Sequence, residues 1–201
     1  NQITNIKYNE KSIEIKKNIE RCKNTFDEED FNKIGIMIFD IGSMNKYCSN
    51  LYAKLYKELS IDYNIFNEIS KNNFVSFSQI FREIKIVKAD DDYNLFCENN
   101  KENSKRKSMG LFFINLMLEG VINIEKIIEL ILRLKNMIEE KINIENKSEE
   151  VEEIISNIII LVENGYSIIS KHEKWGVILS HIRKISGSKK TDFVSLSSKS
   201  I

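Results

Sequence analysis

Three places in the chain hold residue types that could do chemistry. His172 and His181 could ligate a metal or carry a proton. Nine residues apart, they fall on opposite faces of one helix. No matching set of carboxylates or cysteines accompanies them, so the plain reading is a pair of surface histidines. Gly187-Ser188-Lys189-Lys190-Thr191 has the flavour of a phosphate loop. It lacks the upstream glycine, the adjacent Gly-Lys-Ser/Thr and a preceding strand. Asp90-Asp91-Asp92 could hold a cation, but the rest of a calcium loop is missing. Cys22, Cys48 and Cys97 are odd in number and widely spaced, without a Cys-x-x-Cys pair. No Gly-x-Ser-x-Gly elbow is present. The expectation is a protein that is not an enzyme, with no cofactor and no metal.

Binding chemistry is better represented. Lys101, Lys105, Arg106 and Lys107 form a basic cluster at the start of an apolar run. Cations at a helix N-terminus oppose the helix dipole, so the cluster is either a contact for phosphate or an acidic partner or a solvated helix start that keeps the chain soluble. Arg183, Lys184, Lys189 and Lys190 make a second basic group near the C-terminal edge. Trp175 could anchor a partner or pack in the core. Lysine plus arginine equal aspartate plus glutamate at 30 each. A dedicated nucleic-acid binder usually shows a basic excess, so RNA contact is expected to be local and weak.

These residues must be positioned by helices. The chain of 201 residues has 42% hydrophobic content, enough for a sizeable core, and suits one domain. It has no proline and only 7 glycines, too few for strands joined by many tight turns. Met109, Phe112, Phe113 and Leu116 fall at i, i+3, i+4 and i+7, one stripe of a helix. Gly120 suits a left-handed C-cap, and Asn123 an N-cap. Ile127, Ile131, Leu134 and Ile138 repeat the stripe on the next helix. Elsewhere the spacing predicts a helix from about Asn9 to Lys23. A second is capped by Thr25 with Glu28, buries Phe31, Ile34, Ile38 and Ile41, and stops at Gly42. A third is capped by Ser43, with a face running from Met44 and Tyr47 to Leu59. Residues 61–73 read as weak, and a helix from Phe74 carries Phe77, Phe81, Ile84 and Lys88. Asp90 to Lys101 reads as a loop. Ser148 caps a helix with Val151, Ile154, Ile155, Ile158, Leu161 and Val162, ended by Gly165, and Trp175 to Ile185 forms another, stopped by Gly187. The fold class expected is all-α, an α-solenoid of four to five antiparallel helix pairs of HEAT type. Residues 1–201 form its single domain, with a fifth pair truncated near 192–201.

One block resembles a known family. Arg106-Lys107, Gly110 and Phe113-Ile114-Asn115 are similar to the basic pair, glycine and Phe-Ile-Gly of the third helical pair in the middle domain of eukaryotic translation initiation factor 4 gamma. Asn115 departs from the family glycine. Asn1-Gln2-Ile3-Thr4 resembles the opening of that domain, and Leu196-Ser197-Ser198-Lys199-Ser200-Ile201 resembles the Ile-Ser-Ser-Arg-Ile that begins its fifth pair. The resemblance implies a scaffold that grips both lobes of the DEAD-box RNA helicase of the cap-binding complex and speeds its ATPase cycle. It also implies weak RNA binding, contact with other initiation factors, and a cap-binding protein held through a segment outside this chain. Related domains serve nonsense-mediated decay, splicing, nuclear cap binding and poly(A)-binding-protein adaptors. A generic helical interaction module is the remaining alternative. The implied setting is cytoplasmic, without membrane contact. Abundant isoleucine, asparagine and lysine suggest an AT-rich genome, that of a protist or a large DNA virus, and a first residue other than methionine suggests a fragment.

Overall fold

The computed structural model describes Thr4 and residues 6–201. The resemblance read at Asn1 to Ile3 therefore lies outside the described residues. Among the described residues every regular element is a helix: α1 (Tyr8–Cys22), α2 (Glu28–Met44), α3 (Ser49–Asp62), α4 (Ile65–Gln79), α5 (Tyr93–Leu118), α6 (Ile124–Lys141), α7 (Ser148–Ile169) and α8 (Trp175–Ser186). Among the described residues the weak stretch 61–73 and the start of the next expected helix join in α4, and 192–201, expected to open a fifth pair, is a run of turns.

Local chemistry sets the boundaries. The second helix is capped by Asp27, not Thr25. Asp27 accepts a hydrogen bond from the Asp30 amide at 2.9 Å, and Asp30 returns one from the Asp27 amide at 3.4 Å. That is a capping box with aspartate at both ends. Thr25 instead donates its hydroxyl to the Cys22 carbonyl, closing the turn after α1. Ser43 lies inside α2, and α3 begins after Cys48, whose amide donates to Asn45 Oδ1. Met44, the last residue of α2, and Tyr47 in the connector are left exposed, whereas Leu51, Tyr52, Leu55, Tyr56 and Leu59 are buried as their spacing predicts.

Gly42 does not stop α2. A methyl group there would come within 2.7 Å of the Phe112 ring and 2.9 Å of Tyr52 Cβ, so the missing side chain allows α2 to approach α3 and α5. The buried face of α2 includes Phe39, which is 1% exposed, and leaves out Ile41 at 43%. Gly165 likewise sits inside α7, with Ile114 and Ile169 against its backbone.

The largest departure is α5. Asp92 accepts a hydrogen bond from the Leu95 amide at 3.0 Å and starts a helix of 26 residues, where a loop is expected as far as Lys101. Its first half is polar and its second half is buried almost all round: Phe112, Phe113, Ile114 and Leu116 are fully enclosed. The helix expected from Phe74 instead starts at Ile65. It ends at Gln79, and Phe81 and Ile84 reach the core from a non-helical segment.

The turn at Gly120 matches its sequence reading. Gly120 has φ +72°, the Val121 amide donates to the Leu116 carbonyl at 2.8 Å, and the Gly120 amide donates to Met117 at 2.9 Å. These two bonds make a Schellman cap. Asn123 then caps α6 by accepting from the Glu125 amide.

The core is continuous along the molecule. α5 packs chiefly against α7, α3 and α2, and only lightly against α6, its neighbour in sequence. Phe113 is its aromatic centre, with ring centroids of Phe39, Phe74 and Phe77 between 5.0 and 5.6 Å away. α1 is tied to α3 by Tyr8, whose hydroxyl donates to Glu58 at 2.9 Å. The segment after α8 folds back on the connector between α6 and α7. There the Ser195 amide donates to the Ile142 carbonyl at 2.8 Å, and Leu196 is buried.

Candidate functional site

The basic cluster at the start of the apolar run divides between surface and interior. The 3.6-residue period of α5 sends neighbouring residues in different directions. Lys101 and Lys105 are exposed. Arg106 points inward between α5 and α7 and is only 7% exposed. One guanidinium nitrogen donates to Asn103 at 2.7 Å and to Glu153 at 3.0 Å, and the group lies over the Phe81 ring at 5.7 Å. Lys107 is half-buried and reaches the other oxygen of Glu153, also at 3.0 Å. Arg106 is thus a buried ion-pair partner of α7 rather than an exposed cation. Lys107 shares its charge with the same carboxylate.

Glu153 is the residue sequence reasoning missed. It reads as one of four glutamates in the first turns of α7, suited to the helix dipole. Instead it is 6% exposed and receives Arg106, Lys107 and the Asn157 amide nitrogen, the last at 2.9 Å. Nothing in the local spacing separates it from its neighbours. Its role depends on where α7 crosses α5. Beside this network a cleft of about 660 Å³ opens, lined by Arg82, Lys85, Asn99 and Asn103 with Glu83 and Glu102. Arg106 forms part of its wall.

The second basic group stays on the surface. Arg183 and Lys184 occupy the last turn of α8, where cations favour the dipole. Lys184 lies 5.6 Å from the centre of the Phe193 ring. Lys189 and Lys190 are exposed in the following loop, and the Lys189 amide donates to Asp192 at 2.7 Å, closing a turn. Trp175 is half-buried against the core and meets Tyr166 edge to face at 5.7 Å.

The histidines are not the surface pair the sequence suggests. His172 lies in the turn before α8 and hydrogen-bonds through Nε2 to Glu125 at 2.7 Å, tying that turn to α6. His181 is buried on α8 with no hydrogen bond to either ring nitrogen, and Glu139 stands 3.7 Å from Nδ1. Burial pushes its pKa below the ordinary 6.5, Lys135 and Lys184 act the same way, and Glu139 opposes them. The unfolded chain therefore binds this proton more readily than the folded one. The stabilisation is complete above pH 6.5 and is lost as pH falls through the folded value. Urea titrations at pH values on either side of 6.5 should give a rising stability in the native chain and a flatter profile in His181→Gln. The Glu139 carboxyl is held below its ordinary 4.5 by a hydrogen bond from Lys135, so its own contribution lies at lower pH.

Among the described residues no group of three or more His, Cys, Asp or Glu is placed to hold a metal ion. No helix among them is long and apolar enough to cross a membrane. No family model, curated protein or solved structure matches the chain.

Proposed function

We propose that this protein is a non-catalytic HEAT-type solenoid that binds a DEAD-box RNA helicase in the cytoplasm, as the middle domain of initiation factor 4 gamma does. The observation that supports this reading is which helices pack together. Helices two apart in sequence lie against each other: α1 with α3, α3 with α5, α5 with α7, α2 with α4, and α6 with α8. Stacked helix pairs produce that pattern, because each pair buries its apolar face against the next. The block from Arg106 to Ile114, which carries the family resemblance, sits on α5, the helix with the most extensive packing.

A rigid array that contacts two mobile lobes favours whichever lobe separation fits its own spacing. That is how such a scaffold would speed a helicase cycle without chemistry of its own. Exposed Lys101, Lys105, Arg183, Lys184, Lys189 and Lys190 are the residues left to contact RNA or acidic partner surfaces. The test is an isotherm of the purified chain with the cognate helicase, alongside RNA-dependent ATPase with and without the chain. Saturable binding with faster turnover is expected. No binding at tens of micromolar would overturn the reading and direct attention to the decay, splicing and nuclear cap-binding relatives.

A further inference from the structure

The even-numbered helices pack as α2 with α4 and α6 with α8, but α4 and α6 share no interface of comparable extent. Between them runs a groove of about 560 Å³. That volume lies in the range of built binding clefts. Its floor is apolar, made by Phe74, Val75, Val121, Ile122 and Leu130. Val75 is 55% exposed there, on an element whose other apolar residues are mostly buried.

The rim carries Lys71, Lys126 and Arg133 against one acid, Glu129. Lys126 shares its charge with Glu129 at 3.4 Å, and Lys71 with Glu68 at 3.1 Å. Among the described residues Arg133 has no acidic partner within salt-bridge distance. It donates to the Ser78 carbonyl and bridges α6 to the end of α4. Burial and the nearby charge of Arg82 lower its pKa. Set against Glu68 and Glu129, the three cations leave the rim an excess of one positive charge. The N-terminus of α6, at Asn123, also opens on the groove and adds the positive end of a helix dipole. The whole chain has no net charge, so this local excess is a feature of the groove.

We propose that the groove between α4 and α6 binds a short amphipathic helix of a partner protein, with apolar anchors on one face and aspartate or glutamate flanking them. An apolar floor within a cationic rim is complementary to that segment, whose anchors recur at i, i+3, i+4 and i+7. Single-stranded RNA suits the groove less well. Bases stack on exposed aromatic faces, and the floor's one aromatic residue, Phe74, is buried at 7% exposure. This site is separate from the helicase reading and does not rest on it.

The probe is a fluorescein-labelled synthetic helix with leucine at those four positions and glutamate on its other faces, followed by anisotropy. Saturable binding in the micromolar range is expected, weakening as salt is raised. Val75→Asp, which puts a carboxylate on the floor, and Lys126→Glu should each weaken it about tenfold or more. Ile159→Asp, at an exposed position on α7 outside the groove, should leave it unchanged. Circular dichroism confirms that each variant is folded. No saturation at several hundred micromolar would overturn the proposal. So would equal affinity for a peptide with the same composition and shuffled leucines, indifference to Val75→Asp, or displacement by single-stranded RNA that binds as tightly.

Discussion

Phe113→Ala should lower the unfolding free energy by about 4 kcal/mol, read from urea denaturation followed by helical circular dichroism. The ring is fully enclosed and meets Phe39 of α2, Phe74 and Phe77 of α4. Removing it takes away the transfer free energy of a whole aromatic side chain and leaves a cavity bordered by three other rings. Those rings are held by their own helices. Phe39 meets Phe112 at 5.2 Å, and Phe77 meets Phe81 at 5.3 Å, so little can move in to fill the space. A total stability of roughly 5–15 kcal/mol is ordinary for a domain, so one such change could leave a substantial unfolded fraction. Phe113→Leu, which keeps most of the volume, should cost about half as much. A loss below about 1 kcal/mol for the alanine variant would show that α2 and α4 do not meet at this ring.

Glu153→Leu should be nearly as damaging, by about 3–5 kcal/mol, because it leaves the Arg106 guanidinium buried without an anion. Asn103 and the Phe81 ring would be its remaining contacts. Lys107 can turn outward to water, since it is only half-buried, but Arg106 cannot. The double variant Arg106→Met with Glu153→Leu removes both charges and restores an apolar seam between α5 and α7. It should recover to within about 1 kcal/mol of the native chain. That non-additivity is the signature of a direct pair and is measured by a double-mutant cycle. If the two losses simply add, the pair contributes little, and Arg106 would be better understood as a residue that opens onto the neighbouring cleft.

The helical class was legible because the apolar spacing is regular where helices are strongly amphipathic. Ile127, Ile131, Leu134 and Ile138 on α6 and the stripe of α7 are buried as their period requires. The Gly120 and Asn123 signals also mark their turn correctly, since each depends on the chemistry of a single residue. What stayed hidden depends on distant segments. The polar first half of α5 has no stripe to reveal it, and only its Asp92 cap marks the start. Gly42 and Gly165 look like helix stops, yet each is a place where another helix comes close. Phe81 and Ile84 have helical spacing but are buried from an irregular segment, which periodicity cannot distinguish. In the basic cluster, the four residue types were legible but their directions were not. Arg106 turns inward because Glu153 lies 47 positions away in sequence and adjacent in space.

The arrangement of α5 also constrains how the chain can be made. A ribosome releases the sequence from its N-terminus, so α2, α3 and α4 are available to cover one side of α5 as soon as it emerges. The other side belongs to α7, which ends only at Ile169. Until then Ile114 lacks its α7 neighbour, and Arg106, though it has Asn103 and the Phe81 ring, lacks the Glu153 carboxylate. A nascent chain paused before that point carries an unpartnered apolar ridge and an unpaired guanidinium together, a surface that chaperones would be expected to shield during synthesis.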